Sequence, residues 1–150
     1  MGGYGLIGGA LTHSFSPEIH KLLGDYEYRL YPLPKDALPA FMRENDLEGF
    51  NVTIPYKQAV IPYCEALSDA AKRIGSVNTV VRQADGSYYG DNTDYAGFLK
   101  LLGDARSIAG KKALILGSGG AAKTVRAALT DAGLSPVVTI SRSGADNYQN

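Results

Sequence analysis

The stretch KALILGSGGAA, residues 112–122, constrains the chain more than any other. A β-rich apolar run ends in a glycine turn, and a helical pattern starts at once. Val125, Ala128, Leu129 and Ala132 recur at helical spacing, Gly133 closes the pattern, and PVVTIS reads as the next strand. This is one strand–turn–helix–strand unit, the building block of a parallel sheet. Within it, Gly117-Ser118-Gly119-Gly120-Ala121-Ala122 matches G-x-G-x-x-A, an accepted variant of the dinucleotide-binding fingerprint. Gly117 permits the tight turn, Gly119 lets the backbone come close to a pyrophosphate, and Ala122 lets helix and strand pack. The phosphates would meet free N–H groups at the helix N-terminus. The competing account is a plain strand–helix turn that needs glycine for geometry alone. The flanking strands favour the fingerprint.

The end of the second strand is where such folds usually carry an Asp or Glu for the ribose of NAD. Here the sequence reads Ser141-Arg142-Ser143. A carboxylate would repel a 2′-phosphate, whereas the planar guanidinium of Arg142 suits one, and Ser141 and Ser143 can add hydroxyl donors. The expectation is NADP rather than NAD. An exposed surface arginine is the alternative.

Upstream, strand and helix signals alternate, which predicts an α/β fold with a mostly parallel sheet. YGLIGG reads as a first strand, followed by a helix with Ser16 as N-cap, Pro17 as first residue and Ile19, Leu22 and Leu23 as its apolar stripe. YEYRLYPL alternates as a second strand, and Leu38, Phe41 and Met42 mark the next helix. GFNVTI is a strand that must end at Pro55. KQAVIPYCEALS reads as helix broken near Pro62. Ser68 can cap DAAKRI, with Gly75 closing it. SVNTVVR and SYYG flank Gln83-Ala84-Asp85-Gly86, a hairpin expected at the sheet edge. Thr93 can cap a helix carrying Tyr95, Phe98, Leu99 and Leu102, which ends at Gly103. The polar stretch between Gly103 and Gly110 reads as a domain boundary.

Composition narrows the partners. Fifteen Lys+Arg balance fifteen Asp+Glu, so no basic field points to nucleic acid or an anionic membrane. A small-molecule partner is expected, and no metal. Cys64 is the lone cysteine, read as a packing residue in a reducing compartment. The N-terminus lacks the pattern of a secretory signal, and no apolar run approaches the ~20 residues that span a bilayer. A soluble cytoplasmic protein is expected.

Three polar clusters in the first hundred residues exceed what structure alone demands. In His13-Ser14-Phe15-Ser16-Pro17, two hydroxyls at a helix start can hold a carboxylate. An ordinary N-cap accounts for Ser16 but leaves Ser14 unexplained. In Asn51-Val52-Thr53-Ile54-Pro55-Tyr56-Lys57, Thr53 and Lys57 follow a strand, on the side where open α/β sheets collect ligands. Lys57 is there either an acid–base group or a solvated lysine. In Gly90-Asp91-Asn92-Thr93-Asp94, Asp94 falls in the first turn of a helix, where a carboxylate also serves structure, and Asn78 upstream is equally a strand-start hydrogen-bonder.

Taken together, HSFSP, GFNVTIPYK, GSVNTV, GDNTD and GSGGAA, in this order and spacing, resemble the shikimate dehydrogenase family. The resemblance runs from Tyr4 to about Arg142. It implies a substrate-binding α/β domain over 1–103, followed over 104–150 by the start of a Rossmann NADP-binding domain. It also implies NADPH-dependent, reversible reduction of 3-dehydroshikimate to shikimate in the cleft between them. By resemblance, Ser14 and Ser16 hold the substrate carboxylate, and Thr53, Asn78 and Asp94 bond its ring hydroxyls. Lys57 and Asp94 form the catalytic pair. Gly117, Ser118, Gly119, Gly120 and Ala121 cradle the pyrophosphate, and Ser141, Arg142 and Ser143 meet the 2′-phosphate.

The sequence departs from the family pattern in places. Ser76 replaces the alanine of the usual GAVNT, SRS replaces NRT, and Asp146 stands where a second basic residue often follows. The family chain also runs on for over a hundred further residues, so truncation is expected. Two other readings follow: a substrate-binding fragment without catalysis, and a quinate-preferring or NAD-using relative. The oligomeric state, a homodimer included, stays open.

Overall fold

The computed structural model describes residues 2–104 and 107–142. Among the described residues, eight strands fall into a six-stranded and a two-stranded sheet. In chain order the first part holds β1 (Tyr4–Gly8), α1 (Ser16–Leu23), β2 (Tyr28–Pro32), α2 (Leu38–Glu44), β3 (Gly49–Val52), β4 (Ala66–Leu67), α3 (Asp69–Ile74), β5 (Thr79–Arg82), β6 (Tyr88–Asp91) and α4 (Thr93–Leu102). The second part holds β7 (Ala113–Leu116), α5 (Gly120–Asp131) and β8 (Val137–Ile140). The large sheet runs β2-β1-β3-β5-β6-β4. β1 is parallel to β2 and β3, and β4 to β6, while β5 is antiparallel to both neighbours. β7 and β8 are parallel.

Strand alternation separates a dry face from a polar one. Ile7 lies opposite Val52, and Phe50 opposite Val80. These side chains meet Leu38 and Met42 of α2 and Ala71 of α3 in the main core. Fully buried residues such as Ile7, Val52 and Val80 each contribute about 1.5–3 kcal/mol. One residue out of phase, the register sets Leu6 against Asn51, and Asn51 against Thr79. The second face therefore carries an amide and a hydroxyl on adjacent central strands.

A second core gathers Ile115, Leu129, Ala132 and Leu134, with Phe98 and Leu102 of α4 packed on it. Helix α4 thus begins at the large sheet and ends against the small one. No helix among the described residues is long and apolar enough to cross a membrane. Cys64 packs against the main core, and burial pushes its thiol up to about 11, so it is an inert packing residue.

Four expectations need correction. Ser16 is the first residue of α1 rather than its cap; Phe15 precedes the helix, and the Ser14 hydroxyl accepts from the Ser16 N–H at 3.3 Å. KQAVIPYCEALS is not α-helix. Pro62 lies at the start of a 3-10 turn, Ile61–Tyr63, and the chain then becomes β4. There Glu65 and Ser68 donate backbone N–H groups to Tyr88 and Gly90, so a sheet partner supplies the bonds a helix would have made internally. Because β4 adds outside β6, the β5–β6 hairpin lies within the sheet rather than at its edge. Finally, Asn92, not Thr93, caps α4, accepting the Tyr95 N–H at 3.1 Å.

The stripe Ile19, Leu22 and Leu23 forms as a helix face, but it stays 54%, 88% and 69% exposed. Nothing among the described residues covers it.

Candidate active site

The large sheet places its loops around a cavity of about 630 Å³, lined by Ser14, Ser16, Asn51, Thr53, Lys57, Asn78 and Asp94 among others. Ser14, Ser16, Thr53, Asn78 and Asp94, expected to hold substrate, and Lys57 of the expected catalytic pair all border this one space. Ser14 and Ser16 come from the β1–α1 connection, Thr53 and Lys57 from the loop after β3, Asn78 from the start of β5, and Asp94 from the first turn of α4.

Lys57 and Asp94 form an ion pair, Nζ to Oδ2 at 2.5 Å. The lysine side chain is 15% exposed and the carboxylate 41%. The second oxygen, Oδ1, accepts from Asn78 Nδ2 at 2.9 Å. Asn78 also donates to Thr93 Oγ1 and accepts the Thr93 backbone N–H through its Oδ1 at 2.8 Å. Asp94 is therefore oriented by two donors and by the helix that carries it.

Three contributors were not singled out from sequence. Asn51 lines the cavity; its Nδ2 donates to Thr79 Oγ1 at 3.2 Å, and its Oδ1 accepts from the Tyr28 hydroxyl at 2.7 Å. Burial pushes the Tyr28 phenol up to about 12, against the opposing pull of the Ser16 hydroxyl, so it is a neutral donor at neutral pH. Asn92 is 2% exposed and donates to the Ser76 carbonyl at 2.8 Å and to Thr124 Oγ1 on α5 at 3.1 Å. The alternating pattern of β3 and β5 was the signal for Asn51; nothing local marked Tyr28 or Asn92.

A second cavity, about 480 Å³, opens on the other side of the pair. It is lined by Lys57, Asp94 and Gly97 from the first part, and by Ala121, Thr124 and Val125 of α5. The glycine turn thus stands beside the Lys57–Asp94 pair. Gly117 has φ +108°, a conformation that L side chains rarely adopt. Gly119 precedes α5 with open space where a Cβ would be. The backbone N–H groups of Gly120 and Ala121 make no bond among the described residues, as expected at a helix start open to an anion. These features fit a dinucleotide pyrophosphate.

Gly120 has a second reason to be glycine. A Cβ there would lie 3.3 Å from Ser76 Oγ and 3.4 Å from the stem of Lys57. Farther along α5, Asp131 accepts from Arg73 Nη2 at 2.7 Å and from the Tyr95 hydroxyl at 2.5 Å. Ser76 Oγ itself is buried without a partner among the described residues.

Of the expected 2′-phosphate contacts, Ser141 is buried and Arg142 exposed, just beyond β8. Ser143 and Asp146 lie outside the described residues. Among the described residues, no group of three or more His, Cys, Asp or Glu is placed to hold a metal ion.

Fold and site together define an α/β protein with a polar cleft joined to a strand–helix–strand unit that carries the glycine turn. Residues 6–80 match the family model described as "Shikimate dehydrogenase substrate binding domain". The chain belongs to that family. A shikimate dehydrogenase (NADP(+)) from Clostridium beijerinckii is 43% identical over 148 residues, an alignment spanning 93% of this chain and 54% of the relative. Shikimate dehydrogenase 1 from Peptoclostridium difficile superposes with a TM-score of 0.86 at 35% identity, over 97% of this chain and 57% of that one. The Thermus thermophilus enzyme in complex with NADP(H) and shikimate gives 0.80 at 37% identity, over 95% and 57%. The chain therefore spans little more than half the length of these proteins.

Proposed function

We propose that the protein acts as a shikimate dehydrogenase, reducing 3-dehydroshikimate reversibly to shikimate with NADPH. The observation that carries this reading is the position of Lys57 and Asp94 on the wall shared by two cavities. One is lined with hydroxyls and amides suited to a polyhydroxylated carboxylate. The other reaches α5 and the glycine turn. Residues 1–103 are read as the substrate-binding domain, and 104–150 as the first part of the NADP-binding domain.

Ser14 and Ser16 hold the carboxylate, and Thr53, Asn78 and Asp94 bond ring hydroxyls. Bound NADPH supplies a hydride to the carbonyl carbon. As negative charge grows on the carbonyl oxygen, the Lys57–Asp94 pair delivers the proton: the ammonium faces the oxygen, and the carboxylate holds it in place. In the reverse direction the pair removes a proton from the hydroxyl. Gly117, Ser118, Gly119, Gly120 and Ala121 cradle the pyrophosphate at the α5 N-terminus. Arg142, with Ser141 and Ser143, discriminates for the 2′-phosphate. A cytoplasmic setting fits the lone, unoxidised Cys64.

Steady-state oxidation of NADPH by the natural gene product tests this. Turnover with 3-dehydroshikimate that is much weaker with NADH is the expected result. Absence of turnover with either cofactor contradicts the enzymatic reading, and equal use of both removes the role of Arg142.

A further inference from the structure

The polar face of the large sheet carries one connected hydrogen-bond path. The Tyr28 hydroxyl donates to Asn51 Oδ1 (2.7 Å), and Asn51 Nδ2 donates to Thr79 Oγ1 (3.2 Å). The Thr79 hydroxyl donates to Asn78 Oδ1 (3.2 Å), and Asn78 Nδ2 donates to Asp94 Oδ1 (2.9 Å). Asp94 Oδ2 then receives Lys57. Each donor in the path has an acceptor; the Thr79 hydroxyl also lies 3.2 Å from Thr93 Oγ1, so the hydroxyls follow a sense set by the amides.

That sense is set at Asn51. A side-chain amide presents two donors on one side and an acceptor on the other. Asn51 Nδ2 lies toward the Asn78 carbonyl oxygen (3.5 Å), a group that only accepts, and toward Thr79. Its Oδ1 must then face a donor, and Tyr28 is the group placed there. Tyr28 does not line the cavity; it stands behind Asn51. Its ring is stacked on His20 of α1, with centroids 3.7 Å apart and planes 13° apart. His20 Nδ1 is in turn hydrogen-bonded to the Tyr26 hydroxyl at 2.7 Å. The helix that holds the phenol begins at Ser16, which lines the same cavity.

We propose that Tyr28 is a positioning residue for the substrate cavity, whose hydroxyl holds the Asn51 amide in the sense that the Asn78 carbonyl sets, and so steadies the Asn51–Thr79 end of the hydroxyl-binding row. This rests on the reading that the cavity takes a polyhydroxylated ring. Tyr28 is not among the residues that line the cavity, so on this reading it acts through Asn51. Its effect is on how well the hydroxyl-binding row is preorganised, and so on substrate affinity more than on the chemical step.

Tyr28→Phe removes the hydroxyl and keeps the stacked ring. In the natural gene product, the KM for shikimate is expected to rise about fivefold, the scale of one neutral hydrogen bond. The KM for NADP⁺ stays unchanged, and kcat changes less than about twofold. In an Asn51→Ala background the same substitution adds nothing, because the amide it orients is gone. An unchanged shikimate KM, a parallel rise in both KM values, or an equal effect in both backgrounds overturns the proposal. If the wild-type protein does not turn over shikimate, the functional reading fails, and the positioning role is then read directly. The assigned side-chain amide signals of Asn51 shift in Tyr28→Phe if the role holds, and unshifted signals overturn it.

Discussion

Lys57 Nζ and Asp94 Oδ2 stand 2.5 Å apart although 37 residues separate them in the chain. The loop after β3 delivers one and the first turn of α4 the other, and Asn78 at the start of β5 ties the carboxylate to the sheet. Three elements thus converge on a single ion pair, and both cavities open onto it. The lysine side chain is 15% and the carboxylate 41% exposed, so water screens the pair less than one on an open surface.

Asp94→Asn keeps the side-chain shape and removes its charge. Lys57 then loses its counter-ion, while the bond from Asn78 to a side-chain oxygen survives. A fall in kcat of about 10²-fold is expected, the scale of a positioned acid–base group. It should come with less than about a tenfold change in shikimate KM, since one hydrogen bond is weakened rather than lost. Steady-state kinetics on the purified variant checks the split.

Asn92→Ala should be among the most destabilising single changes at the junction. It removes the α4 cap, which typically costs about 1 kcal/mol. It also leaves the Ser76 carbonyl and Thr124 Oγ1 without their buried donor, adding about 1–3 kcal/mol. Urea denaturation is expected to show a total loss of about 2–4 kcal/mol. A loss below about 0.5 kcal/mol, the range of an ordinary surface change, contradicts the assignment.

Ser76→Ala should go the other way. The Ser76 hydroxyl is buried with no partner among the described residues and presses toward Gly120. Deleting it removes a desolvation cost of about 1–3 kcal/mol, less a small cavity term. A net gain of about 1 kcal/mol in the same urea experiment is expected, and a clear loss would show that the hydroxyl has a partner.

The Asp131 contact gives a pH signature. Its pKa is lowered, first by the hydrogen bond from Arg73 and then by that from Tyr95. A carboxylate depressed in the folded state stabilises it above the unfolded value of about 4, and that contribution is lost as pH falls through the folded pKa. The side chain is 35% exposed, so the effect is modest. The difference in denaturation midpoint between wild type and Asp131→Asn should be present at neutral pH and shrink below about pH 4. A pH-independent difference contradicts the linkage.

Much of this was legible in the chain. The glycine turn, the α5 stripe and the caps of α3 are local signals, and each element formed where its own residues predict it. Position marks Lys57, just past a strand, and Asp94, in a first helical turn, without deciding their role; the resemblance of the combined motifs to the family is what pairs them. What escaped was decided by partners distant in sequence. Asn92 and Thr93 are both good caps, and the choice fell to Asn92 because Ser76 and Thr124 take its amide. The run after Lys57 has helical composition, yet β6 offered it a sheet edge. Strand alternation points to Asn51, but Tyr28 joins the site only through strand register, which no window of a few residues contains.

Proton transfer turns on Lys57, and one comparison tests it. In Lys57→Ala of the natural gene product, kcat for the shikimate–NADP⁺ reaction should fall at least ~10²-fold. Calorimetric titration should still detect shikimate, held by the remaining groups of the cavity. Near-wild-type turnover in that variant would contradict the assignment of proton transfer to the Lys57–Asp94 pair.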